Sequence, residues 1–112
     1  MPRRYTPKRG DVVWLHFNPQ AGHEQAGRRP AVVLSPESYN RKTSLALFCP
    51  VTNQVKRYPF ETPLPPEFPV SGVVLCDQIK SLDWTVRRAE FICELPEEAL
   101  DDVMGKALAL LR

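Results

Sequence analysis

This chain is short of the residues that most often carry enzyme chemistry. It holds two histidines, His16 and His23, and neither sits in an H-E-x-x-H or similar ligand cluster, so a catalytic zinc site has no support in the sequence. It contains no G-x-x-x-x-G-K-[ST] phosphate loop and no G-x-S-x-G elbow for a serine nucleophile,. Its three cysteines, Cys49, Cys76 and Cys93, are odd in number, widely separated and set in apolar runs. They read as buried, reduced thiols of an intracellular protein, not as a disulfide framework. No apolar run approaches the roughly 20 residues of a membrane-spanning helix. The basic start (Arg3, Arg4, Lys8, Arg9) has no apolar stretch behind it, as a secretory signal would,. The expectation is a cytoplasmic protein with no membrane, no metal and no cofactor. Five glycines against twelve prolines, a proline share about double the usual value of roughly 5%, speak for short strands with rigid connections. Disorder and an all-helical bundle both fit poorly.

What the chain does have is apolar residues in short, patterned runs. Hydrophobic residues make up 43% and charged residues 25% of its 112 positions, a globular balance. That length allows one domain with one modest core, expected to span residues 1–112,. From Val12 to Phe17, Val12, Trp14 and His16 alternate with Val13, Leu15 and Phe17, the signature of a strand with two distinct faces. Pro30 to Ser35 reads as a buried valine-rich strand, and Leu45 to Val51 as another, followed by the polar turn Thr52, Asn53, Gln54. Glu37 to Lys42 is open between one helical turn and an irregular crossing. Shorter strands are predicted at Tyr58 to Glu61, Gly72 to Cys76, Trp84 to Arg88 and Glu90 to Cys93. Pro63, Pro65, Pro66 and Pro69 mark a stiff surface loop that cannot donate ladder hydrogen bonds,. The last segment differs. Pro96 suits a helix's first turn, and Glu97 and Glu98 suit the positive end of its dipole. Leu100, Val103, Met104, Ala107, Leu108 and Leu111 then recur at steps of three and four,. Gly105 costs such a helix about 1 kcal/mol relative to alanine, so packing must hold it. The sum is a mainly β fold, a small β-barrel with a C-terminal α-helix packed on it.

Charge is unevenly spread. Residues 1–60 carry ten Lys and Arg against three Asp and Glu, a net +7, whereas residues 61–112 carry five against ten, a net −5. This asymmetry suits a basic face that meets a polyanion, and is equally open to charges that interleave once the chain folds. The densest polar stretch lies between the first two strands, a Gly-punctuated loop with Glu24, Gln25, Arg28 and Arg29. Charged groups on a loop anchored by a rigid scaffold are a common arrangement for a working site. By elimination the reactive repertoire is Arg, Glu, Thr and His. That set suits cleavage of RNA by its own 2′-hydroxyl, because the substrate then supplies the nucleophile. The protein has only to orient the phosphate, neutralise charge on its oxygens and move protons. A guanidinium offers paired donors and keeps its charge at neutral pH. One donor aimed at a developing oxyanion is worth about 10²–10³ in rate, and general acid–base catalysis about 10²–10⁴ more.

The stretch Gly10 to Leu34 and three later blocks, Pro50-Val51-Thr52, Tyr58-Pro59-Phe60-Glu61 and Asp77-Gln78-Ile79-Lys80-Ser81, resemble in order and spacing the MazF/PemK (Kid) family of bacterial toxins. The resemblance covers most of the chain. It implies an SH3-like barrel of the CcdB/Kid/MazF type that forms a homodimer, cuts single-stranded mRNA sequence-selectively in the bacterial cytoplasm, and uses no metal. It also implies a cognate antitoxin with an acidic, partly disordered tail. It aligns Arg29 and Thr52 with the family's catalytic pair and Glu24 with the acidic residue beside them. Asp77, Gln78 and Lys80 align with positions lining the RNA groove. Gln25, Arg28, Asn53, Gln54, Lys56 and Arg57 complete the expected RNA-contacting set.

Several roles stay open at this level. Glu24 either takes the 2′-hydroxyl proton or only orients Arg29, and a bare Arg29–Glu24 surface pair would be worth about 0–1 kcal/mol. Thr52 is a phosphate donor or an ordinary turn former. Arg28 grips a neighbouring phosphate or is solvated, and Lys56 and Arg57 close over RNA or sit in a plain loop. Trp14 reads as a dimer or partner contact, and His16 as structural. Two rival classes remain. One is a non-catalytic toxin of the same fold that binds DNA gyrase; the Trp-Gly-Ile tail of that poison is replaced here by Leu110, Leu111 and Arg112. The other is an SH3-type adaptor, which needs an aromatic-lined groove for Pro-rich peptides, whereas the aromatics here are scattered.

Overall fold

The computed structural model describes residues 5–17 and 27–111. Its strands are β1 (Asp11–His16), β2 (Arg28–Val33), β3 (Leu45–Thr52), β4 (Glu61–Pro63), β5 (Val73–Leu75), β6 (Lys80–Asp83) and β7 (Glu90–Glu94). Two helices, α1 (Glu37–Thr43) and α2 (Glu97–Ala109), complete the elements. The mainly β architecture with a C-terminal helix is as expected. Every ladder is antiparallel, in the order β4-β5-β3-β2-β1-β7, with β6 also on β3. β3 is where the sheet forks. Its first half, Leu45 to Phe48, pairs with β6, and its end, Val51 and Thr52, pairs with β5. Pro50, which has no N–H to give a ladder, stands at the fork. Among the described residues the barrel-like sheet does not close on itself.

Strand alternation sends neighbouring side chains to two separate cores. Val13, Leu15, Ala31, Val33, Ala46 and Phe48 form one, flanked by Tyr5, Phe17 and Trp84. Val12, Val32, Cys49, Val51, Val74 and Cys76 form the other, which α2 covers with Val103 and Ala107. Leu100 and Met104 of the helical stripe pack there too, but Leu108 and Leu111 are exposed. The helix ends at Ala109, so the stripe is not continued past it. The open stretch after β2 is a two-turn helix. Its Asn40, fully buried, donates to the carbonyls of Pro7 (2.8 Å) and Ser35 (3.1 Å), and its carbonyl accepts Trp84 Nε1 (2.9 Å). Cys49 and Cys76 are buried and Cys93 is half-buried, all three as free thiols. Burial pushes the Cys49 thiol up to about 12. Among the described residues, no helix is long and apolar enough to cross a membrane.

Two strand assignments are corrected. Trp84 to Arg88 is a turn, and the strand lies before it at Lys80–Asp83. Thr85 and Val86 are strand-type residues, but the Asp83 carboxylate takes both their backbone N–H groups (2.9 and 3.0 Å) and draws the chain into a turn,. Tyr58 to Glu61 is likewise a turn, closed by the Glu61 N–H on the Tyr58 carbonyl (3.1 Å). Pro59 sits at its second position, where its locked φ fits best. The strand starts only at Glu61 and takes in Pro63, whose missing N–H is harmless at the sheet's edge,.

Candidate active site

The two arginines expected on the loop lie instead on β2, because the β1–β2 ladder runs on through Leu15↔Arg29 and His16↔Arg28. Being adjacent on a strand, they point to opposite faces. Arg28 lies over the Trp14 ring, 5.0 Å from its centre, and pairs with Glu90. Arg29 is exposed on the face of Leu15 and Ala31. In the next ladder Ala31 pairs with Pro50. Arg29, two residues before Ala31, and Thr52, two residues beyond Pro50, lie on the same face as that pair, past the point where the β2–β3 ladder ends,. Both side chains line one cleft of about 540 Å³ at the fork of β3.

The lining of this cleft includes Phe17 just after β1, Gly27 and Arg29 at the start of β2, and Pro50, Val51 and Thr52 at the end of β3. Gln54, Lys56, Tyr58 and Glu61 add to it from the β3–β4 connection into β4, and Leu75, Gln78 and Lys80 from the end of β5 to the start of β6. Thr52 Oγ1 accepts the Gln54 N–H at 3.1 Å, so its own proton is left to donate. Asn53 accepts from Ser71 Oγ (2.9 Å), and Gly72 closes in behind. Gly72 has φ +114, and a Cβ there would lie 2.2 Å from the Thr52 carbonyl oxygen, so only glycine lets this backbone approach,. Tyr58 donates to Asp77 across the mouth at 2.7 Å. That bond to a carboxylate pushes the exposed Tyr58 hydroxyl up to about 12.

Among the described residues three cations, Arg29, Lys56 and Lys80, face the cleft against one carboxylate, Glu61. Lys80 also sits over the Phe17 ring, 5.8 Å from its centre. Such a surface can hold a phosphodiester, with a hydroxyl donor at Thr52, planar faces at Phe17 and Tyr58, and the amides of Gln54 and Gln78 for base edges. Of the expected site residues, Arg29, Thr52, Gln54, Lys56, Gln78 and Lys80 are thus brought together. Asn53, Arg57 and Asp77 flank the cleft without lining it, and Arg28 faces away. Glu24 and Gln25 lie outside the described residues. Among the described residues no group of His, Cys, Asp and Glu could hold a metal ion. Residue-type reasoning passed over Phe17, Tyr58 and Glu61. The signal for Tyr58 and Glu61 was their place in the block Tyr58-Pro59-Phe60-Glu61, which carried the family resemblance without assigning either a role.

Residues 8–111 match the family described as PemK-like, MazF-like toxin of type II toxin–antitoxin system. The chain is similar to the endoribonuclease toxin MazF of Escherichia coli (strain K12), 45% identical over 111 residues that cover 99% of each chain. Among solved structures it resembles MazF of Deinococcus radiodurans, with a TM-score of 0.87 at 56% identity over 96% of this chain and 98% of that one. A MazE–MazF complex from the same organism gives a TM-score of 0.86 at 50% identity, over 96% and 97% of the two chains.

Proposed function

Since this chain belongs to the PemK-like, MazF-like toxins of type II toxin–antitoxin systems and is an endoribonuclease, we propose that it cuts single-stranded mRNA at a selected sequence through the RNA's own 2′-hydroxyl, with no metal required. Arg29 holds the scissile phosphate and neutralises the charge that builds on its oxygens. Thr52 donates a hydrogen bond from its hydroxyl to one of those oxygens. The 2′-oxygen attacks phosphorus, the 5′-oxygen of the next nucleotide leaves and takes up a proton from solvent, and the products carry a 2′,3′-cyclic phosphate and a 5′-hydroxyl. Glu24 takes the 2′-hydroxyl proton or orients Arg29. Lys56 and Lys80 hold the flanking backbone, while Gln54 and Gln78 read the edges of unstacked bases, as proteins that recognise single-stranded RNA commonly do.

The observation that supports this reading is that Arg29 and Thr52 both line one basic cleft. Relatives it matches include MazF, PemK, ChpB and EndoA, each an endoribonuclease by name, and none of these names favours gyrase binding. The chain acts as a homodimer in the bacterial cytoplasm. Its partner is a cognate antitoxin with an acidic tail, because a cleft that fits phosphates also fits carboxylates; the Deinococcus radiodurans relative was solved with MazE.

The test is a long single-stranded RNA incubated with the protein in excess EDTA, with fragment ends mapped. Discrete cuts at one short motif are expected, and uncut RNA would refute the reading. Arg29→Ala should cleave about 10²–10³ more slowly. Arg29→Lys should recover little, since a point charge lacks the planar fork. Cleavage by Arg29→Ala at the normal rate would remove Arg29 from the mechanism.

A further inference from the structure

Among the described residues Glu61 is the only acidic side chain lining the cleft, and it is 6% exposed. A carboxylate beside three cations of a phosphate site would ordinarily neutralise one of them and weaken the site. Here it does not: none of the four ion pairs among the described residues includes it. Its two oxygens accept the backbone N–H groups of Lys56 and Arg57 instead, each at 2.9 Å. These amides lie in the connection from β3 to β4, where Arg57 takes a left-handed φ of 60°, a conformation a non-glycine residue keeps only when its surroundings impose it. From below, Lys106 of α2 donates to the Glu61 carbonyl at 2.7 Å, which holds the residue against the helix. On the outer side the Tyr58–Asp77 hydrogen bond ties the same loop to the β5–β6 connection.

We propose that Glu61 is a positioning residue for RNA binding: by holding the amides of Lys56 and Arg57, its carboxylate keeps the β3–β4 loop folded as the rim that presents Lys56 to the RNA backbone. The proposal rests on the RNA-cleavage reading above. A rim that is already folded spares binding the cost of ordering a loop, so the role belongs to substrate affinity and not to the bond-breaking step. Glutamine in its place keeps one acceptor oxygen and turns an NH₂ toward the second amide, so half of the grip is lost.

The experiment compares steady-state cleavage of a short single-site RNA by the wild type, Glu61→Gln and Arg29→Ala. Losing one hydrogen bond to a charged acceptor is typically worth a factor of about ten. KM for Glu61→Gln should therefore rise about tenfold while kcat stays within about threefold of the wild type. A KM like that of the wild type overturns the proposal, and so does a fall in kcat with KM unchanged, since that would make Glu61 part of the chemistry. Amide hydrogen exchange on the RNA-free wild-type protein gives a reading that needs no variant to fold. Protection at Lys56 and Arg57 is expected, and exchange at the rate of an unstructured peptide overturns the proposal. The wild type separates the two readings: RNA that it leaves uncut sinks the cleavage reading, whereas normal cleavage by the wild type, slow cleavage by Arg29→Ala and an unchanged KM in Glu61→Gln sink only the role given to Glu61.

Discussion

Thr52→Val removes one hydroxyl and keeps the branched shape at the half-buried end of β3. Two consequences follow, of different size and in different observables. The Gln54 N–H loses its acceptor, a neutral hydrogen bond worth about 0.5–1.5 kcal/mol to stability. Because Gln54 is exposed, water takes up much of that loss, and the melting temperature should fall by no more than about 4 °C. If the hydroxyl also donates to the phosphate as charge develops there, the rate falls by about 10²–10³, roughly 3–4 kcal/mol. That loss should lie in kcat, because the interaction strengthens only toward the transition state. Thr52→Ser keeps the hydroxyl and should retain activity to within about tenfold while rotating more freely at χ1. The assay is kcat and KM on a single-site fluorescent RNA in EDTA, with calorimetry on the same preparations. A kcat loss below about tenfold in Thr52→Val would reduce Thr52 to a turn former and refute the reasoning.

Two further outcomes concern the frame around the cleft. Gly105 lies inside α2 with nothing within 4 Å of where a Cβ would sit. Gly105→Ala should therefore stabilise the protein by about 1 kcal/mol, a rise of about 4 °C in a calorimetric melt, with cleavage unchanged; no rise would show that this face of the helix is occupied. The Tyr58 hydroxyl should titrate near pH 12 rather than 10, because its proton is held by Asp77. The folded-state value is the raised one, so the bond's contribution is whole below pH 10 and is lost as pH climbs through about 12,. An NMR titration should find the midpoint moving down toward 10 in Asp77→Ala, and an unmoved midpoint would mean another group holds the proton.

Strong periodicity made some elements readable in advance. The alternation from Val12 to Phe17 became β1, and the Pro96, Glu97, Glu98 start with its three-and-four spacing became α2. Misplaced elements were those decided by a local turn and not by the side-chain pattern. Asp83 bends Thr85 and Val86 into a turn despite their strand-type side chains. The site shows the same division. Arg29 and Thr52 stand at the ends of two readable strands, and their place in one cleft depends on which residues pair across β2 and β3, a register that the sequence leaves unspecified. The opposite fates of Arg28 and Arg29 follow from strand alternation, once β2 is known to begin at Arg28 and not at Pro30. Glu61 was the least readable of all, because its importance comes from two backbone amides four and five residues earlier.

The most direct test of the account is a crystal structure with an RNA whose scissile nucleotide lacks its 2′-hydroxyl and so cannot be cut. Guanidinium nitrogens of Arg29 and the Thr52 hydroxyl should lie within about 3 Å of oxygens on the same phosphate, the one at the mapped cleavage position. A scissile phosphate bound outside this cleft, or touched by neither side chain, would contradict the account.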